Sequence, residues 1–69
     1  MKNNIKKLRQ RSKLSQAQLG KLLGVSQVSV GLYERGIREP SLLTIKNMTK
    51  ALNCTPTELF PVLDVKHNG

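Results

Sequence analysis

The side chains that could do chemistry here are amides, hydroxyls and cations. Between Gln16 and Arg38 the sequence sets Gln16, Gln18, Gln27, Ser26, Ser29, Lys21, Arg35 and Arg38 against one acid, Glu34. Groups of this kind hydrogen-bond and neutralise anions, and they do not by themselves break covalent bonds. A nucleophile beside a base is not in the pattern: His67, the one histidine, lies near the end, and Glu39 and Glu58 stand isolated. Enzymatic function is therefore not expected. One cysteine, Cys54, cannot form an internal disulfide, and with a single histidine a protein-built zinc site is excluded. A 69-residue chain also leaves no room for a deep pocket. The expectation is no metal, no cofactor and no small-molecule ligand.

The cations are unevenly placed. Of a net charge of +8, nine cations and one acid lie between Met1 and Arg38, while Glu39 to Gly69 sums to zero. A one-sided positive field suits a polyanion, either nucleic acid or an anionic membrane surface. Apolar residues never run more than two together, so no stretch reads as a membrane span or a secretory core. The expected setting is the cytoplasm, close to the nucleoid.

These groups must be held by helices, because strand-type alternation is nowhere sustained. Asn3 or Asn4 can cap a first helix running to about Ser12, with Ile5 and Leu8 on its inward stripe. Ser15 and Gln18 make a capping box for a second, with Leu19, Leu22 and Leu23 at helical spacing and Gly24 to stop it. Ser26 opens a third helix that turns Val30 and Tyr33 inward, and Gly36 ends it. Pro40-Ser41 starts a fourth, with an inward stripe of Leu42, Ile45, Met48 and Leu52 and an end at Asn53. Thr55-Pro56-x-Glu58 caps a short fifth helix carrying Leu59 and Phe60, and Pro61 breaks it. The expected fold is all-α and compact: one five-helix domain over 1–62, then a polar tail over 63–69. Within these residues no separate ligand-sensing domain is expected.

The informative stretch is 16–35, QAQLGKLLGVSQVSVGLYER. Gly20 permits close helix packing, Gly24 allows a sharp turn, and Leu19, Leu23, Val25, Val30 and Tyr33 supply an apolar set spanning both helices. This is a helix-turn-helix pattern, in which the second helix lies in the major groove and the first braces across the backbone. A ligand-free αα-hairpin of a bundle is the plainer alternative. A capped, glycine-punctuated turn argues against a helix lying on a membrane surface.

From Ile5 to Phe60 the chain resembles the Cro and phage-repressor family of helix-turn-helix proteins, also called the XRE family. The resemblance rests on Leu8-Arg9, Leu14-Ser15-Gln16, Leu19, Gly24-Val25-Ser26, Val30, Glu34-Arg35-Gly36, Pro40-Ser41, Ala51-Leu52 and Leu59. It implies a five-helix domain of the phage-repressor type, a recognition helix over about 26–35, binding to palindromic double-stranded operator DNA as a homodimer, and a role in transcriptional control. It implies that Gln27 reads a base, and an amide can indeed pair bidentately with adenine N6 and N7. Val28 and Leu32 depart from the polar residues usual at such positions, and outward aliphatics suit thymine methyls or support packing. Gln16 resembles the family's phosphate-clamping glutamine, and the Gln16 and Ala17 backbone N–H groups point the same way. Ser26, Ser29, Arg35 and Arg38 are further phosphate candidates. The resemblance pairs Arg9 with Glu34 in a partly buried ion pair, and Arg9 could also reach a phosphate.

Family members dimerise through the fourth-helix start and the fifth helix. Here Leu42, Pro56, Phe60, Val62 and Leu63 could form a self-complementary apolar patch, although Phe60 more simply closes the monomer core. Cys54 fills a core position, and Thr49 packs its methyl inward. The competing function is a protein-interaction module, such as an antitoxin with secondary DNA binding. That reading wants a long acidic or disordered tail, and the stretch from Pro61 to Gly69 is short.

Overall fold

Each helix begins where a neighbouring side chain can satisfy its first amide groups. The computed structural model describes residues 2–61, in which five helices follow one another: α1 (Ile5–Arg11), α2 (Gln16–Leu23), α3 (Gln27–Glu34), α4 (Leu42–Leu52) and α5 (Pro56–Leu59). Among the described residues there is no strand, and no helix is long and apolar enough to cross a membrane. Ser15, Ser26, Ser41 and Thr55 each accept from a backbone N–H in the first turn that follows. Two of these caps are reciprocal boxes, with Gln18 accepting from Ser15 N–H at 2.8 Å and Glu58 from Thr55 N–H at 2.9 Å.

The start of α1 is built differently. Asn3 Oδ1 accepts from the Ile5 N–H at 3.1 Å. Asn4 instead donates its amide to the Glu58 carbonyl at 3.0 Å and its backbone N–H to the Leu59 carbonyl at 2.8 Å. The choice between two caps thus resolves into two jobs. Asn3, one residue before the N-cap Asn4, satisfies the first amide of α1, and Asn4 ties the beginning of the described chain to α5.

The four longer helices close alike. Lys13, Gly24, Gly36 and Asn53 take left-handed backbone angles, with φ of 59, 72, 73 and 51°. The N–H after each one reaches back five residues: Leu14 to Arg9, Val25 to Gly20, Ile37 to Leu32 and Cys54 to Thr49, at 2.9–3.1 Å. This is the Schellman closure, which satisfies carbonyls the helix leaves over. Lys13 adopts it despite its Cβ, at a cost of about 1–2 kcal/mol.

The core gathers Ile5 and Leu8 of α1, Leu19 and Leu23 of α2, Val30 and Tyr33 of α3, Met48 and Leu52 of α4, Leu59, and Phe60. Leu14, Val25, Ile45, Ala51 and Cys54 pack around it. The α2 helix is central, lying against both α3 and α4, while α5 rests on α4. One expectation needs correction, and of the two readings of Phe60 the simpler one holds. Leu42 is 85% exposed, because it is the first residue of α4 and that end of the helix runs past the packed layer; the inward stripe begins at half-buried Ile45. Phe60, at 3% exposure, belongs to the monomer core and is withdrawn from any surface patch. Leu22, spaced like its core neighbours, is exposed as well.

Candidate nucleic-acid interface

The α2 and α3 helices meet across Gly24-Val25-Ser26, and the meeting is tight. A Cβ on Gly20 would lie 2.7 Å from the Val25 carbonyl oxygen and 3.3 Å from Ser26 backbone atoms. Any side chain there would push the turn away and change the angle at which α3 is presented. With Gly20 in place, α3 buries Val30 and Tyr33 and turns Gln27 and Val28 to solvent in its first turn. Gly31 and Leu32, one turn on, are half-buried.

A buried carboxylate fixes three helices together. Arg9 Nε donates to Glu34 Oε2 at 2.5 Å and Arg9 Nη2 to Glu34 Oε1 at 3.4 Å, with the two side chains 10% and 5% exposed. Arg9 Nη1 donates to the Leu14 carbonyl at 2.8 Å, and Gln16 Nε2 donates to Glu34 Oε1 at 3.0 Å. Glu34, at the end of α3, is therefore the acceptor shared by α1 and α2. All three nitrogens of the Arg9 guanidinium donate inside the protein, and the largely buried side chain serves first to hold Glu34.

The other sequence-derived residues divide by what already holds them. Ser26 Oγ accepts from Ser29 N–H and donates to Ser29 Oγ, both at 3.0 Å, which commits it as a cap. Ser29 Oγ also accepts from Arg38 Nη1 at 3.3 Å. Arg35 is exposed and lays its Nε on the Gly31 carbonyl at 3.3 Å. Ala17, at the start of α2, is exposed. Gln16, Gln27, Val28, Gly31 and Arg35 come together around a shallow hollow of about 280 Å³ on one side of α3. Val62 and Leu63, proposed for a dimer patch, and His67 lie outside the described residues. Leu42 and Pro56 are exposed, as are Ile37 and Leu43 nearby in sequence.

Two structural links have no counterpart in the sequence reading. Gln16 reaches Glu34 across 18 positions, and Arg11 donates to the Leu52 and Asn53 carbonyls at 2.9 and 3.3 Å, capping the end of α4. Arg11 also changes the surroundings of Cys54, which has no cation near it in sequence. Burial raises the thiol pKa above its ordinary value, Glu58 raises it further, and Arg11 lowers it, with a net upward shift. A thiol held protonated in this way is a poor nucleophile, in keeping with a packing role. Among the described residues no group of histidine, cysteine or acidic side chains could hold a metal ion.

Comparison with known proteins places this arrangement. A helix-turn-helix family model matches residues 5–59. The chain is 39% identical over 60 residues to Repressor protein C2 of Salmonella phage P22, covering 87% of this chain and 28% of that repressor, so it spans little more than a quarter of the repressor's length. The crystal structure of the P22 c2 repressor in complex with synthetic operator 9T, in the presence of Tl+, superimposes with a TM-score of 0.75 at 39% identity over 78% of this chain and 82% of that one. The restriction-modification controller protein C.AhdI from Aeromonas hydrophila also gives a TM-score of 0.75, at 40% identity over 83% and 86% of the two chains. A third relative is the uncharacterised HTH-type transcriptional regulator YgzD of Bacillus subtilis (strain 168), 38% identical over 60 residues, 87% of this chain and 91% of that one. By the extent of the family match and by these relatives, the chain belongs to the XRE-type helix-turn-helix family that includes Cro and the phage repressors.

Proposed function

We propose that this chain binds duplex operator DNA sequence-specifically and regulates transcription, in the manner of a repressor, with α3 in the major groove. The observation that carries the proposal is the outer face of α3. Gln27 and Val28 stand exposed at its N-terminal end, on a helix braced by α2 in the part of the chain that holds the whole +8 excess. A relative with the same fold has been crystallised on a synthetic operator, which supports the same use here.

In this reading Gln27 pairs with a base edge, Val28 meets a thymine methyl, and Leu32 supports the contact from a half-buried position. Phosphate contacts come from Gln16, the Gln16 and Ala17 backbone N–H groups, Ser29, Arg35 and Arg38. Arg9 and Glu34 hold the motif in shape. Two copies bind a palindrome through half-sites about one helical turn, ~34 Å, apart, with Leu42 and Pro56 at the contact between them. The protein acts in the cytoplasm and catalyses no reaction.

Selection of bound sequences from a random duplex pool tests this directly. A palindromic consensus is expected, and affinity for it should fall steeply with salt, since each neutralised phosphate contributes about 0.9 to the slope of log K against log salt. A slope near zero, or no enriched sequence, would overturn the proposal.

A further inference from the structure

We infer that Asn3 and Asn4 set the half-site spacing that the protein accepts, by tying the recognition helix to the element at the contact between copies; the inference rests on the two-copy DNA-binding reading above.

A palindrome is read by two α3 helices held at one distance, and that distance is measured through the contact between the copies. In this chain α3 and the contact lie on elements with different neighbours. The α3 helix rests on α1 and α2, while α5, which begins at exposed Pro56, rests on α4. Through the helix stack the route from α5 to α3 crosses α4 and α2. The start of the chain provides a shorter one.

Asn3 Nδ2 donates to the Tyr33 carbonyl near the end of α3 at 2.9 Å. The next residue, Asn4, donates its side-chain amide to the Glu58 carbonyl at 3.0 Å and its backbone N–H to the Leu59 carbonyl at 2.8 Å. Two residues joined by one planar peptide bond therefore hold the ends of both elements. Because α5 is a single turn of 4 residues, holding Glu58 and Leu59 also holds Pro56. Both asparagines are half-buried and pinned to α1, Asn3 Oδ1 by the Ile5 N–H at 3.1 Å and the Asn4 carbonyl by the Leu8 N–H at 2.9 Å. With Oδ1 engaged, the plane of the Asn3 amide is fixed and its nitrogen is aimed at Tyr33. The Tyr33 carbonyl already accepts from the Gly36 N–H at 3.0 Å, so the bond from Asn3 adds position to a group that was not left unsatisfied.

An operator whose half-sites stand one base pair too close or too far apart asks each α3 to shift relative to the contact between copies. The asparagine link resists that shift. Gln27 and Val28 lie at the opposite end of α3 from Tyr33, so the link bears on spacing and leaves the choice of bases within a half-site alone.

Asn3→Asp tests the inference. Aspartate keeps the shape and the oxygen that accepts from the Ile5 N–H, and replaces the donating nitrogen with a second acceptor. It serves the start of a helix as well as asparagine does, so α1 should form. Binding is measured to palindromes of the selected half-site with the selected spacer and with spacers one base pair longer and shorter. The preference for the selected spacer should fall about fivefold in the variant, the scale of one side-chain hydrogen bond. The added negative charge weakens binding to every duplex alike and cancels in that ratio, and base preference within the half-site should not change. The two ties act in series, so adding Asn4→Asp to Asn3→Asp should lower the melting temperature further and leave the spacer ratio where the single variant put it. An Asn3→Asp protein with the spacer preference of the parent overturns the inference. So does a further fall of the ratio in the double variant, which would make the two ties independent, or a parallel loss of base preference, which would make Asn3 a support of the reading end itself. A parent protein that shows no preference among spacers refutes the two-copy reading and the inference together, a result distinct from a parent that discriminates and a variant that discriminates equally.

Discussion

Val28 and Val30 are the same side chain two residues apart on α3, yet Val28 is 69% exposed and Val30 is fully buried. The helix turns about 100° per residue, so one valine enters the core beside Tyr33 while the other stands next to Gln27 in solvent. The inner face is held by partners distant in sequence: Glu34 by Arg9 and Gln16, and Tyr33 through its carbonyl by Asn3. The outer face has local partners: Ser29 bonds Ser26 and Arg38, and Arg35 bonds Gly31. One face fixes where the helix sits, and the other is left free to meet something else.

That contrast makes the inner face the costly one to alter. Glu34→Ala removes the α3 carboxylate that accepts from both α1 and α2 and strands the Arg9 guanidinium in the interior. Breaking a buried pair from one side costs about 3–5 kcal/mol. Lys21→Ala, at an exposed position of α2, should stay within about 0.5 kcal/mol of the parent. Chemical denaturation of the two variants side by side measures the difference. Equal midpoints would remove Glu34 from its structural role.

The two valines give the same comparison with chemistry held constant. Val30→Ala should cost about 2 kcal/mol, the value of a fully buried valine. Val28→Ala should leave the denaturation midpoint nearly unchanged. On DNA the order should reverse: Val28→Ala should lose the preference for thymine over uracil at one operator position, while Val30→Ala should retain it at temperatures where it is folded. A Val28→Ala protein that still distinguishes thymine from uracil would show that Val28 contacts no methyl.

What the sequence disclosed follows the range of the interactions involved. Caps act within three residues, and Ser15, Ser26, Ser41 and Thr55 are where their types and spacing require. The helical stops at Gly24, Gly36 and Asn53 were equally legible, because few residues tolerate that backbone conformation. Lys13 makes the same closure but belongs to a type with no preference for it, so nothing in its identity marked the end of α1. Periodicity misjudged Leu42 because spacing tells which side of a helix a residue is on, and not whether another element lies opposite. The bonds from Gln16 to Glu34 and from Arg11 to Leu52 span 18 and 41 positions. Neither residue pair has a spacing that repeats anywhere, so both required the folded chain to be seen.

Gln27 gives the smallest effect on folding and the sharpest test of the two-face picture. It is exposed, it lies in the first turn of α3, and the Ser26 cap that starts the helix bonds Ser29 and does not depend on the Gln27 side chain. Gln27→Ala should therefore fold like the parent, within about 0.5 kcal/mol. A bidentate amide–adenine pair is worth about 1–3 kcal/mol of discrimination against a wrong base. The variant should lose that amount at one position of each half-site and keep its affinity for unrelated duplex, because the phosphate contacts are made elsewhere. Binding to the consensus and to single-base variants of it, measured at one salt concentration, separates the outcomes. A uniform loss across all sequences would mean that Gln27 positions the protein on the backbone; a loss confined to one base pair would mean that the exposed end of α3 reads the groove.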